Sequence, residues 1–148
     1  LRDLSPEEYA DRLVAYLRER GIDWDEELVR RAAPLVQDKI AKLGDFPEFA
    51  GFLFREVEPD PALLDGGGAM LEGAREVLSG VEPFAAEPIE AALRGLAERL
   101  ELKPRQAFQP IRVAVTGSKV SPGLFESLEL LGRDTSLARI EAARRALR

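Results

Sequence analysis

Two absences bound the chemistry open to this chain: it contains no cysteine and no histidine. Disulfides, thiol nucleophiles, imidazole bases and the usual zinc ligands are excluded with them. Carboxylates, Lys, Arg, Ser, Thr and Tyr remain. The carboxylates are plentiful, yet no two stand out as an acid and a base flanking a cleft, so a stand-alone carboxylate hydrolase fits poorly. The cations are placed more suggestively. Residues 102–148 hold four acids and nine bases, against fifteen and nine in residues 1–60 and eight and three in residues 61–101. From Leu102 to Phe125 there is no Asp or Glu, and Lys103, Arg105, Arg112 and Lys119 all fall inside that window. Such a window faces an anion, or it is a buried or solvated face with no ligand. The run Gly66-Gly67-Gly68 invites comparison with a phosphate loop, but neither Lys-Ser nor Lys-Thr follows it and no strand precedes it. It reads instead as a flexible connector.

The bulk numbers describe what must position these residues. At 148 residues, 45% hydrophobic and 32% charged, the chain has the composition of a globular protein with one ordinary domain or two small ones. A net charge of -6 argues against indiscriminate nucleic-acid binding, which comes mainly from neutralising phosphates. No apolar run approaches the roughly 18 to 20 residues of a membrane span, and no signal-peptide pattern opens the chain. The expectation is a cytoplasmic monomer with no membrane and no metal partner. A first residue of Leu1 rather than methionine suggests a piece of a longer protein.

Helical signals are dense along the whole length. Ser5-Pro6-Glu7-Glu8 combines an N-cap, a first-turn proline and a capping-box glutamate, and Tyr9, Leu13, Tyr16 and Leu17 follow on one face until Gly21. A second helical stretch is expected from about Asp25 to Leu43, kinked or split at Pro34. Asp45 and Glu48 have capping-box spacing ahead of Phe46, Phe49, Phe52 and Phe54. The acidic, proline-bearing segment from Val57 to Asp65 places a boundary near residue 62, giving lobes at 1–62 and 63–148. In the second lobe, helices are expected over Ala69–Leu78 and from Pro88 to Leu100. The alternation of Ile111, Val113 and Val115 resembles a strand, but no second strand-like segment exists to pair with it. We therefore read a helix restarted at Pro110 and stopped at Gly117. Ser121-Pro122 reads as the start of the next helix, and Asp134 or Thr135 as the cap of the last. The fold class is all-α, as two small helical subdomains.

One stretch carries a family likeness. Gln109-Pro110-Ile111-Arg112-Val113-Ala114-Val115-Thr116-Gly117-Ser118, then Ser121-Pro122-Gly123-Leu124-Phe125 and Leu130-Leu131-Gly132-Arg133, resembles a signature of bacterial-type glutamyl-tRNA synthetases. The Leu4-Ser5-Pro6-Glu7 opening and the Leu43–Phe54 segment resemble the same family more weakly. The likeness runs over essentially all of the chain. It implies an anticodon-binding helical cage, in which the two lobes grip the anticodon loop of a tRNA for glutamate. It also implies a missing N-terminal catalytic domain that uses ATP and magnesium. The HIGH and KMSKS signatures of that domain do not occur here, so this chain by itself is expected to be catalytically silent and to hold no cofactor.

The residues suit that task on physical grounds. Sequence-specific RNA reading targets splayed loop bases with Arg forks, backbone groups and packed side chains. Arg112 lies about one helical turn before Thr116-Gly117-Ser118 and can project near that turn. Its bland alternative is a local salt bridge. Lys119 offers a mobile charge, and a helix start running from Ser121 to Leu124, with Pro122 in its first turn, offers unpaired N–H groups from its other residues. Leu124 fits a base face or the core, while Thr116, Gly117, Ser118, Ser121 and Pro122 also serve as helix stop and cap. In the first lobe, the resemblance places Lys39 where the family can present an arginine to the last anticodon base. Lysine lacks that bidentate fork, which weakens discrimination between glutamate and glutamine anticodons. Arg30, Arg31 and Lys42 are candidates for RNA-backbone contacts or ordinary solvated charges. The competing reading is a non-catalytic helical protein-interaction module, which the acidic first 101 residues would suit.

Overall fold

The computed structural model describes residues 3–147, which form eight α-helices and three short 3₁₀ turns with no strand among the described residues. The chain divides into two compact units, residues 1–55 and 56–148. In the first, α1 (Pro6–Glu19) starts as its sequence directs. The Ser5 Oγ accepts the Glu8 N–H at 3.2 Å and donates to the Glu8 carboxylate at 3.0 Å. Gly21, at φ +73°, follows its end. Helix α1 packs against α2 (Glu26–Val36), which buries Val29, Ala32, Ala33 and Val36. Arg30 ties the pair together by bonding Asp11 at 2.8 Å and Glu26 at 3.0 Å, and Arg18 also bonds Glu26.

The expected helix to Leu43 is corrected here. Helix α2 passes Pro34 but ends at Val36. Pro34 has no N–H to bond the Arg30 carbonyl. The Lys39 and Ile40 N–H groups then converge on one acceptor, the Val36 carbonyl, at 2.8 and 3.1 Å. The chain turns, with Ile40 buried as its anchor. Asp45 does not head a capping box with Glu48; its carboxylate reaches back to the Lys42 N–H at 3.3 Å, ahead of the short helix α3 (Phe46–Ala50). Trp24 stacks on Phe54 with centroids 4.3 Å apart, and Phe46 lies 6.3 Å from both rings.

Tyr9 is wholly buried in this unit, and its hydroxyl has no hydrogen-bond partner among the described residues. Burial pushes its ionisation above the ordinary phenol value. An unpaired buried hydroxyl costs desolvation without compensation. Tyr9→Phe is therefore expected to raise stability by about 1 kcal/mol. Urea unfolding of both proteins measures it, and a loss of stability in the variant would mean that the hydroxyl is bonded after all.

The second unit comprises α4 (Gly68–Ser79), α5 (Ala86–Arg99), α6 (Pro104–Thr116), α7 (Leu124–Leu131) and α8 (Arg133–Ala146). It starts at Glu56, ahead of the boundary expected at residue 62. The acidic, proline-bearing segment packs with the helices of this second unit: Leu64 is fully buried in their core, and a methyl on Gly117 would come within 3.3 Å of Val57. Helix α6 touches α4, α5, α7 and α8. That enclosure resolves the strand-like alternation, because Ile111, Val113, Ala114 and Val115 are all buried on one helix surrounded by others. Gly117, at φ +78°, stops α6 as expected. The three glycines do not form a flexible connector. Gly66 turns the chain at φ +80°, Gly67 is buried against Pro110, and Gly68 opens α4. Helix α8 starts after Gly132, so Asp134 and Thr135 lie in its first turn and do not cap it.

Candidate functional site

The turn from α6 to α7 gathers most of the residues singled out in the sequence. Arg112, half-buried on the last turn of α6, donates from Nη1 to the Ser121 Oγ at 2.5 Å and to the Pro122 carbonyl at 3.0 Å. The Ser121 hydroxyl also lies 2.8 Å from that carbonyl. Thr116 Oγ1 sits 2.7 Å from the Arg112 carbonyl and 3.0 Å from the Ser118 carbonyl, and accepts the Ser118 N–H at 3.2 Å. The Ser118 Oγ accepts the Val120 N–H at 3.0 Å. Side-chain hydroxyls therefore fix a loop that would otherwise have little secondary structure to hold it. Ser118, Lys119 and Val120 stand exposed at its tip.

The guanidinium has a defined orientation. All its hydrogen bonds to described residues leave through Nη1, so Nε and Nη2 are uncommitted among those residues. A planar fork held on one side and open on the other is suited to bidentate contact with a carbonyl-bearing ring edge or an anion. Burial lowers the Arg112 pKa from its ordinary value, and the charge of Glu126 opposes that shift. The acid-free window of the sequence is thus not acid-free in space. Arg112 remains a cation, since arginine does not deprotonate in proteins.

One expectation is corrected, and of the two alternatives for Leu124 the core is the one occupied. Ser121-Pro122 does not start α7, which begins at Leu124 after Gly123. The Ser121 hydroxyl is used to receive Arg112, and Pro122 is buried with its carbonyl turned to the same guanidinium. Leu124 is 3% exposed within the core, so no face of it is open to a ligand.

Sequence reasoning missed the aromatic packing between α6 and the start of α7. Phe108 lies one turn before Arg112 on α6 and meets Phe125 edge-on at 5.4 Å. Arg94, from α5, lies over Phe108 at 5.4 Å and Phe125 at 5.8 Å while bonded to Glu90 at 2.7 Å. The four-residue spacing of Phe108 and Arg112 was a usable signal. The approach of Arg94 is a tertiary contact that no local pattern encodes.

The other candidates belong to the first unit. Lys39 and Lys42 are exposed in the turn after α2, and Arg31 is exposed on α2. Arg30 is occupied, since Asp11 and Glu26 bond its guanidinium and raise its pKa. Contact between Arg30 and an RNA backbone would first require exchanging those partners.

A family model described as an anticodon binding domain matches residues 8–144. A glutamate–tRNA ligase of Kocuria rhizophila is 45% identical over 161 residues, covering 99% of this chain and 32% of that protein. Another, from Mycolicibacterium vanbaalenii, is 48% identical over 153 residues, covering 97% and 31%. The chain thus spans about a third of the length of these curated relatives. In structure it is similar to a glutamate tRNA ligase from Elizabethkingia meningosepticum, with a TM-score of 0.83 at 20% identity over 98% of this chain and 30% of the other. At that identity the likeness bears on the fold.

Proposed function

This chain belongs to the anticodon binding domain family, and from that premise we propose that it reads the anticodon loop of a tRNA for glutamate as one part of a glutamate–tRNA ligase. The observation that carries the reading is the Arg112 guanidinium, clamped by Ser121 and Pro122 through Nη1 with its other edge free. Such a fork recognises a base edge, while the exposed Lys119 beside it suits a phosphate. Thr116, Gly117 and Ser118 hold the turn in shape, and Leu124 anchors α7 beneath it. Lys39 serves the last anticodon base as a single charge without a fork, with Arg31 and Lys42 as nearby backbone contacts. The family membership favours this reading over a protein-interaction module. ATP, magnesium and the activation of glutamate are assigned to the part of the ligase outside this chain, and the region is proposed to act as a monomer in the cytoplasm. Among the described residues, no helix is long and apolar enough to cross a membrane.

The test is a binding titration of the chain with a glutamate anticodon stem-loop and an anticodon-swapped counterpart. Preference for the first by at least about tenfold is expected, a difference of roughly 1.4 kcal/mol. Equal affinity for both would remove the recognition role, and absence of binding to either would remove the reading altogether.

A further inference from the structure

Helix α6 carries Arg105, Gln109 and Arg112 at the spacing i, i+4 and i+7, which aligns them along one helix face. Arg112 ends that line at the α6–α7 turn. Arg105 and Gln109 instead line a cleft of about 360 Å³ along the N-terminal half of the helix. Leu63, Leu102 and Pro110 give it apolar walls, and Asp65 adds a carboxylate. Its size falls within the range of roughly 300 to 1,000 Å³ typical of small-ligand pockets.

Of the polar side chains that line this cleft, Gln106 is used by the fold, its Oε1 accepting the Lys103 N–H at 3.2 Å. Neither Arg105 nor Gln109 makes a side-chain hydrogen bond or ion pair among the described residues. Among the described residues several other arginines of the unit are ion-paired, although Arg99 is not: Arg94 bonds Glu90 at 2.7 Å, and Arg144 and Arg145 bond Glu141 at 2.8 and 3.0 Å. The cleft offers donors from Arg105, an acceptor from Asp65, and one of each from Gln109. A bare anion would meet the Asp65 charge, so inorganic phosphate is a poor occupant. A planar ring with both donors and acceptors on its edge, joined to a phosphate, matches all of it. The ring lies between the apolar walls with an N–H toward Asp65, and the phosphate meets the exposed Arg105.

We propose that this cleft is a second nucleotide site, which takes one unpaired base of the same RNA strand that meets Arg112. The proposal rests on the anticodon-loop reading above. Along the axis Arg105 lies about 10 Å from Arg112 and Gln109 only about 4.5 Å from it, spans that adjacent nucleotides of a single strand cover. The base here is read by Gln109 and Asp65, and a different base by Arg112.

The experiment uses the whole chain and a set of glutamate anticodon stem-loops, each with one loop nucleotide made abasic. Gln109→Ala is expected to bind the intact loop about 5- to 30-fold more weakly. One abasic position should weaken the wild type by a similar factor and weaken Gln109→Ala no further. That position should differ from the one that couples to Arg112→Ala. Arg105→Ala should weaken all the RNAs and reduce the salt slope by about one single-strand phosphate contact. Circular dichroism checks folding, and Gln109→Asn, which shortens the reach of the amide, replaces the alanine variant if that one unfolds. Wild-type affinity in Gln109→Ala, or abasic losses that add fully to it at every position, overturns the second site. Should Arg112→Ala impair binding while Gln109→Ala does not, only this cleft is lost as a site. If the wild-type chain binds none of the stem-loops, the anticodon reading falls and this proposal falls with it.

Discussion

Arg112→Ala is expected to weaken binding of the cognate anticodon stem-loop by about 1 to 3 kcal/mol while weakening the anticodon-swapped loop much less. The asymmetry comes from how the guanidinium is held. Ser121 and Pro122 occupy Nη1, so the free edge presents two parallel N–H groups in an orientation that the protein fixes before RNA arrives. Fixed donors lose little freedom on binding and penalise a wrong partner by being left unpaired. Lys119 is exposed, and its loss is expected to weaken both RNAs alike and to lower the salt slope by about one contact. Ser121→Ala adds a sharper control. It removes a clamp on Arg112 while leaving the guanidinium present, so it should reduce discrimination more than total affinity. Affinities of the three variants for both stem-loops across a salt series decide the matter. Equal weakening of the two loops by a folded Arg112→Ala protein would end its role as a base reader.

What could be read in advance depended on whether the deciding contact was local. The cap of α1 closes over three residues, so Ser5 and Glu8 were legible from spacing alone. The α6 helix was legible for a less direct reason: its apolar residues alternate like a strand, but a lone strand leaves its backbone unpaired, and burial on several sides suits a helix as well. The end of α2 was misjudged because an apolar stripe continues past Pro34. Ile40 is buried as that stripe demands, but by a turn that brings two N–H groups to the Val36 carbonyl. Ser121 had the sequence of a cap and the environment of a receptor for Arg112, a choice made by a side chain nine residues away. The same limit hid Glu126 and Arg94. The candidate site was therefore legible as a set of residues, while the clamp that orients Arg112 was not.

The three glycines show how far a local reading can mislead, and they support the largest expected loss of stability. Gly66 and Gly67 are adjacent but constrained in different ways. Gly66 has φ +80° with open space around it, so Gly66→Ala meets backbone strain alone, about 1 to 2 kcal/mol. Asparagine there should cost less, because its side chain tolerates that conformation. Gly67 is not at positive φ, so alanine has no backbone penalty there. A methyl at Gly67 would instead lie 2.4 Å from the Pro110 Cβ and 3.0 Å from the Leu64 carbonyl oxygen. Proline cannot rotate away, and Pro110 and Leu64 are themselves buried. Something must shift, and overpacking of this kind costs about 3 kcal/mol for alanine, near the upper end of the usual range, and more for valine. For a unit of this size, that is a fall of roughly 10 to 20 °C in midpoint. The displaced element would be α6, which carries Arg112 two residues beyond Pro110, so Gly67→Ala should also blunt anticodon discrimination at temperatures where the protein is still folded. Thermal unfolding of Gly66→Ala, Gly66→Asn, Gly67→Ala and Gly67→Val gives the ranking. If Gly67→Ala melts no lower than Gly66→Ala, the close packing of the Gly67 backbone on Pro110 is not what holds this corner together.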